Sequence, residues 1–426
     1  VKSILFLCSE EFPTPYRFLD QVFNKIILAQ GIKTSWVMYS AQPCTFDPVT
    51  WNGNCLVTIP KVRSTGPLGL FVQYTKTIRQ VLRAIKVLTN SSGTFDLVQV
   101  RDDPFMALIG WIYAKRNGLP FVFQLSHLKA EECVFGWVHK VPGYSIAGLL
   151  KAGIDLVVRQ LVLHQANKVF FISDEMRQLF LSKRRFRGFE PKFIGVEEGV
   201  QVVTEPALGK TTQVGGSPRT QLGLDDKTLF LYVGTLTRLR GLEVLIEGFA
   251  AAVADDHTMH LVIVGTGPRP EDLTFLKSLA VKLGIMDRLT FTGRLQPDAV
   301  DEWLAVCDIG VSAIPDNPIY KYSSPIKILE YMVFGKPVLA SNLLPQEKLI
   351  TASKGGLVVT HSLEGYANGF NSMKKLSVPE RNRMGALGKA YVVKHRSFNV
   401  MANQILAAYQ DCWRKVGTSV LSTKFR

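Results

Sequence analysis

Tyr322-Ser-Ser-Pro-Ile-Lys-Ile-Leu-Glu-Tyr-Met-Val-Phe-Gly-Lys-Pro-Val-Leu-Ala-Ser341 holds the side chains best spaced for chemistry. Ser324 is a good N-cap and Pro325 a good first helical residue, so a helix is predicted to begin there. The start of such a helix presents free backbone N–H groups and the positive end of a dipole, a natural seat for a diphosphate. Lys327 falls in the first turn, where its ammonium adds a charge-assisted contact. Glu330 follows on the same face, and a carboxylate there can accept both hydroxyls of a ribose. The plainer alternative is a solvated Lys–Glu pair, the usual fate of charges at this spacing. Ser-Pro before the pair and Gly335-Lys-Pro337 after it favour the pocket.

Other candidates are single groups. Arg238 and Arg240 lie in Val233-Gly-Thr-Leu-Thr-Arg-Leu-Arg-Gly241, a loop after a predicted strand, where phosphate ligands and ordinary surface charges both occur. His127 follows the predicted strand that ends at Gln124, on the side where ligands of α/β sheets bind, although a lone His is more often structural. Gly265-Thr-Gly267 suggests a dinucleotide loop, but the third glycine position is Pro270, so a tight turn is the better reading. Asp102-Asp103, Asp225-Asp226 and Asp255-Asp256 have no second ligand at a recognisable spacing and read as caps and solvated loops. No metal site is predicted.

These residues need a sheet to hold them. From residue 228 the chain alternates strand-like runs (Thr228–Val233, His260–Val264, Leu289–Thr292, Ile309–Ile314, Pro337–Ala340, Gly356–Val359) with helical patterns such as Leu242–Val253. That is the signature of a parallel sheet with helices on both faces. The N-terminal half repeats it less cleanly, with strands at Ser3–Leu7, Thr34–Met38, Leu97–Val100, Pro120–Gln124 and Lys168–Ile172. We read two Rossmann-like α/β domains, 1–200 and 225–397, joined by a Gly-, Thr-, Ser- and Gln-rich linker at 201–224 and followed by a C-terminal helix and tail, 398–426. Two such domains turn their strand ends toward a common cleft, which suits a reaction joining two substrates.

Composition bounds the rest. A chain of 426 residues is long enough for two cores, and no apolar run is long enough to span a bilayer. Six scattered cysteines without a Cys-x-x-Cys pair argue against a zinc site or a disulfide framework and favour a reducing cytoplasm. The opening residues read as a strand, not a signal peptide. A formal charge of +15 attracts polyanions, but no nucleic-acid recognition motif accompanies it. The run between Asp47 and Asp96 has six basic residues and no acidic one. Within it Leu68–Leu88 reads as a helix, with Phe71, Tyr74, Ile78, Val81, Leu82 and Ile85 on one face and Lys76, Arg79, Arg83 and Lys86 on its neighbour. Such a stripe suits an anionic membrane surface.

The Tyr322–Ser341 segment resembles the Ser-Pro-x-Lys-x-x-Glu-Tyr-Met…Gly-Lys-Pro-Val element of family 4 glycosyltransferases. Val264-Gly-Thr-Gly-Pro268, Asp287-Arg-Leu-Thr-Phe-Thr-Gly293 and Cys307-Asp308 follow the family's order, and the likeness is strongest from Leu231 to Val359. The resemblance implies a GT-B fold: two Rossmann-like domains facing a central cleft, with the closing helix packed back on the N-terminal domain. It implies a retaining, metal-independent transfer from a nucleotide-diphosphate sugar to a glycan or lipid-linked acceptor, with no cofactor beyond the donor. It places Ser324, Lys327, Arg238 and Arg240 at the diphosphate, Glu330 at the ribose and the backbone of Gly293, Arg294 and Leu295 at the base, with His127 near the transferred sugar. The paired-glutamate form of the family has a second Glu where this chain has Tyr322, so the contact to the donor sugar differs. The cationic stripe at Lys76, Arg79, Arg83 and Lys86 suits a peripheral enzyme on the cytoplasmic side of a membrane. Two other classes are open on this architecture. A sugar-nucleotide epimerase would need further acid or base groups in the cleft, and a partner subunit would keep the fold without donor binding.

Overall fold

The computed structural model describes residues 1–14, 16–40, 42, 44–62, 66–202, 216–254 and 256–423. The chain forms two units, Val1–Glu198 with Phe398–Arg426, and Gly199–Ser397.

The first unit is built on an eight-stranded sheet: β1 Lys2–Phe12, β2 Ile32–Ser40, β3 Val49–Trp51, β4 Asn54–Pro60, β5 Leu97–Arg101, β6 Phe121–Leu125, β7 Lys168–Phe171 and β8 Phe193–Gly195. The order is β3-β4-β2-β1-β5-β6-β7-β8, and every pairing is parallel except β3 with β4. Runs such as Ile4-Leu-Phe-Leu7 are buried throughout, as strands covered on both faces must be. The β3/β4 hairpin was not among the predicted strands. It turns at Asn52-Gly53, both at positive φ, a two-residue connection whose twist matches the flanking strands.

Helices α1 (Gly66–Ser92), α2 (Pro104–Arg116), α3 (Lys129–Val138) and α4 (Ile146–Gln165) belong to crossovers that all step the same way along the sheet. Right-handed connections therefore place them on one face. The β1–β2 crossover steps the other way and carries its helical segment, Leu19–Ile27, to the opposite face. There it meets the C-terminal helix Phe398–Thr423, whose predicted stripe is the docking surface. Phe398, Met401, Ile405 and Tyr409 are buried in one core with Leu19, Phe23 and Trp36, and Trp413 packs at its edge. The Trp413 indole donates to the Asp96 carbonyl at 3.0 Å, and the Tyr409 hydroxyl donates to Gln99.

The apolar face predicted for α1 needs correction. Val81, Ala84, Ile85 and Leu88 are buried, but Phe71 is 67% and Leu82 49% exposed. At about 100° per residue, Phe71 and Leu82 lie roughly 80–120° around the helix from Val81 and Leu88, beyond the edge of the buried arc.

The second unit has six parallel strands: β9 Thr228–Val233, β10 Met259–Val264, β11 Leu289–Gly293, β12 Ile309–Ser312, β13 Val338–Ser341 and β14 Gly356–Val359, in the order β11-β10-β9-β12-β13-β14. Each lies where the β-branched run predicts it, with ends shifted by no more than two residues. The linker read at 201–224 falls partly outside the described residues, at 203–215. Its end is not a linker. Pro218–Gln221 forms a short helix capped by Ser217, whose hydroxyl accepts from the Thr220 amide at 3.2 Å. Leu224 is buried beside Leu229 and Trp303. Arg219 fixes this piece by donating to the carbonyls of Leu224, Lys227 and Val306 and pairing with Asp308. Such tertiary contacts hold in place a Gly- and Ser-rich segment whose composition alone suggests no structure. Among the described residues no helix is long and apolar enough to cross a membrane.

Candidate functional site

In the second unit the connection after β9 runs to one side and the connection after β12 to the other, so the gap between these neighbours is the sheet's switch point. Open α/β sheets bind ligands in such gaps, beyond the strand carboxyl ends. Both predicted polar segments arrive there. Arg238–Arg240 form one helical turn after β9, closed by Gly241 at φ +57°, a left-handed position that starts the next helix, Leu242–Ala252. Lys327 and Glu330 belong to the helix Ile326–Val333, which follows β12.

The two arginines differ. Arg238 is exposed, with its guanidinium 3.1 Å from the centre of the Phe275 ring, a cation–π contact. Arg240 is half-buried between Tyr232 and Tyr320, 5.3 Å from the Tyr320 ring. Burial alone would lower its pKa, but the oxygens of Tyr232 and Tyr320 outweigh that and raise it, so the cation is fixed. Asn317 ties the segment after β12 to this turn. Its side-chain oxygen accepts from the amides of Ile319 and Tyr320, and its amide nitrogen reaches the Leu239 carbonyl at 3.5 Å.

The helix start departs from the sequence reading. Pro325, at φ −83° and ψ 57°, is the cap, and Ile326 is the first helical residue. Ser324 does not cap through its hydroxyl, which accepts from Arg396 at 3.3 Å instead. Several early amides are used inside the turn: Ile326 donates to the Ser324 carbonyl, and Ile328 and Leu329 to that of Pro325. Fewer backbone donors face outward than a side-chain-capped start would offer, which shifts weight onto the cationic side chains. Lys327 Nζ meets Glu330 Oε2 at 2.7 Å, with side chains 38% and 28% exposed.

Tyr331, which the sequence reading quoted without assigning it a role, fixes this helix to the switch point. Its hydroxyl accepts from the Val233 amide at 2.9 Å and donates to the Val311 carbonyl at 3.2 Å, joining the ends of β9 and β12. The ring lies so close to Gly310 that a Cβ there would come within 2.2 Å. Burial raises its pKa far above the usual value and keeps it a donor. The signal was present as Glu330-Tyr-Met332 and a glycine inside a strand, but only the fold joins them.

Gly293 ends β11 and Arg294 and Leu295 follow it, two strands from the switch point. The Gly293 carbonyl accepts from the Gly265 amide at 2.9 Å, Arg294 is exposed, and Leu295 packs against the core. Gly265 itself presses on the β9 loop, since a Cβ there would lie 1.9 Å from the Gly234 carbonyl oxygen. Gly265-Thr-Gly267 is thus a close-packed turn.

His127 lies in the first unit, just past β6, and its Nε2 bonds to Glu132. The Tyr144 hydroxyl donates to the same carboxylate at 2.8 Å. Burial would raise the Glu132 pKa, but the His127 and Tyr144 bonds outweigh it and lower it. Beside them the sequence reading missed a buried network. Arg101 pairs with Asp102 at 3.1 Å, meets Glu198 at 3.6 Å and donates to Ser126. Asp102 was expected in a solvated loop. It is buried at φ +64°, where it accepts from the Ser126 amide at 2.6 Å, while Asp103 caps α2. Among the described residues no three His, Cys, Asp or Glu side chains gather to share a metal, and the six cysteines are free thiols.

Residues 227–373 match the family described as glycosyl transferases group 1. The chain is 30% identical over 141 residues to an alpha-D-kanosaminyltransferase of Streptomyces kanamyceticus, covering 33% of this chain and 34% of that protein. It is 26% identical over 229 residues to a D-inositol 3-phosphate glycosyltransferase of Stackebrandtia nassauensis, covering 51% and 50%. The chain thus spans a third to a half of the length of these relatives. Among solved structures, a sucrose-phosphate synthase of Thermosynechococcus elongatus superposes with a TM-score of 0.72 at 17% identity, covering 97% of this chain and all of that one (100%). The Anabaena protein HepE, in complex with UDP and glucose, superposes with a TM-score of 0.68 at 17% identity, covering 96% and 100%.

Proposed function

We propose that this chain, whose residues 227–373 match the group 1 glycosyl transferases and whose fold is that of the GT-B enzymes, carries out a retaining transfer of a sugar from a nucleoside diphosphate donor. The observation that carries this reading is that the Arg238–Arg240 turn after β9 and the helix of Lys327 and Glu330 after β12 flank the switch point of the second sheet, with the two segments joined by Asn317 and by Arg240 over Tyr320. Transfer breaks the bond between the anomeric carbon and the diphosphate oxygen while the acceptor oxygen attacks on the same face, and the departing phosphate oxygen takes the acceptor's proton. Negative charge grows on the diphosphate as positive charge grows on the sugar. Fixed cations aimed at that diphosphate are the largest lever available. Arg240, held by two tyrosines, and Lys327 supply them without a metal.

Glu330 exchanges its bond with Lys327 for the ribose hydroxyls, which frees the ammonium for phosphate. Gly293 to Leu295 line the base and His127 serves the transferred sugar; Ser324, engaged by Arg396, contributes through its backbone. The acceptor is a glycan or a lipid-linked sugar at an anionic membrane surface. The exposed cations Lys76, Arg79, Arg83 and Lys86 on α1 support that reading, and the free thiols are in keeping with a cytoplasmic location.

A thermal-shift panel of UDP, GDP, ADP and their sugar conjugates tests the donor, since a ligand that binds only the folded state raises the melting temperature. One nucleoside diphosphate should stabilise the protein and its sugar conjugate should be consumed. A flat panel overturns the proposal.

A further inference from the structure

Helix α4 presents an apolar side to solvent. From Ile146 to Leu161 its exposed positions run Ile146, Leu150, Ile154, Val157 and Leu161, with Gly153 among them, and the five aliphatic side chains are between 40% and 72% exposed. At about 100° per residue they occupy an arc of roughly 80°, along roughly 22 Å of helix. The charged residues of α4 lie elsewhere: Lys151 pairs with Asp155, and Arg159 is buried against Glu131. Helix α3 packs on α4 and adds Val134, Trp137 and Val138, all exposed. A surface helix normally shows the reverse pattern. A contiguous apolar patch of this kind marks an interaction surface.

The neighbouring helix says what covers it. α1 touches α4, and its exposed arc mixes Phe71, Val72 and Leu82 with Lys76, Arg79, Arg83 and Lys86, without one acid. Every acid between Lys129 and Gln165 is already paired: Glu131 with Arg159, Glu132 with His127 and Asp155 with Lys151. A second copy of this chain therefore offers the α1 cations no counterpart on this surface. Anionic lipid headgroups do, and they lie directly above an apolar layer that accepts aliphatic side chains.

We propose that α4 and the exposed end of α3 seat in the interfacial layer of an anionic bilayer, with the α4 stripe among the upper acyl chains and the α1 cations on lipid phosphates. Trp137, apolar in body with one N–H, suits the headgroup level. This deepens the membrane part of the proposed function, resting on it for the charge contact, and adds insertion. Insertion differs from charge attraction in one measurable way, because screening at ~1 M salt weakens the second and leaves the first.

The test is co-sedimentation with vesicles of phosphatidylcholine alone or mixed with phosphatidylglycerol, at low and high salt. The full chain is compared with Leu150→Gln/Val157→Gln on α4 and with a variant carrying Gln at Lys76, Arg79, Arg83 and Lys86. The parent should bind the mixed vesicles and keep part of that binding at high salt. The α4 pair should lose about tenfold in vesicle affinity and all of the salt-resistant part, since two exposed aliphatic side chains no longer enter the apolar layer. The α1 variant should lose binding mainly at low salt. Equal binding by the α4 pair and the parent overturns insertion. So does a parent dimer in light scattering that the α4 pair converts to monomer, which would assign the stripe to a second copy. Melting curves and UDP titrations on the same three proteins separate misfolding, and any failure of the donor reading, from failure of this proposal.

Discussion

Glu330→Gln separates the two meanings that a Lys–Glu pair can have. If the pair only stabilises its helix, its contribution is that of a partly exposed i,i+3 ion pair, ~0.2–0.5 kcal/mol. Removing the charge would then lower the melting temperature by ~1–2 °C in a domain of this size and leave ligand affinity alone. If the carboxylate accepts two ribose hydroxyls, Gln keeps one accepting oxygen and presents an NH2 group to the other hydroxyl. A lost charged hydrogen bond is worth ~1.5–3 kcal/mol, which corresponds to roughly 10- to 150-fold in dissociation constant. The ligand effect therefore exceeds the stability effect several times over. Isothermal titration with UDP, alongside a melting curve, reads both. The expected result is at least about tenfold weaker UDP binding at nearly unchanged stability. A UDP affinity within about twofold of the parent's, with a melting temperature lowered by ~1–2 °C, would refute the ribose assignment and leave only a surface pair.

If Arg240 and Lys327 carry the charge at the diphosphate, as proposed, donor turnover should persist in EDTA; loss on chelation that magnesium or manganese restores would show otherwise. Tyr331→Phe should cost about 2 kcal/mol in urea denaturation, since the Val233 amide and the Val311 carbonyl lose their shared buried partner, and an unchanged midpoint would contradict that role. Gly310→Ala should cost ~1–3 kcal/mol through the clash with the same ring, unless the helix slides away, which a crystal structure of the variant would reveal. His260 is buried against Thr290 at 2.9 Å, and burial lowers its pKa from 6.5 to about 4. The unfolded chain then binds the proton first, so stability should fall as pH drops from about 6.5 toward 4, by at most ~1.4 kcal/mol per pH unit. His260→Gln should flatten this slope relative to the parent between pH 7 and about 4.5, and parallel profiles would rule the group out.

Periodicity and capping chemistry act over a few residues, so they are legible in a sequence. Thr228–Val233 and Gly356–Val359 are strands with the bounds that their β-branched runs predict, and the stripe from Phe398 to Trp413 is a docking face because spacing fixes which side chains share a helix side. The order Ser-Pro-x-Lys-x-x-Glu likewise placed Lys327 and Glu330 one turn apart before any fold was known. What the tertiary structure decided depends on partners distant in the chain. Ser324 is a good cap by type, yet Arg396 takes its hydroxyl and the helix starts at Ile326. Tyr331 became the bond between two strands only because β9 and β12 are neighbours, which no local pattern states. Asp102, polar and beside another acid, is buried because Arg101 and Ser126 surround it. The side of α4 that faces outward was set by how it packs on α2 and α3. Its aliphatic residues are in the sequence, but burial is a property of the assembled layer, and only the layer shows which of them were left uncovered.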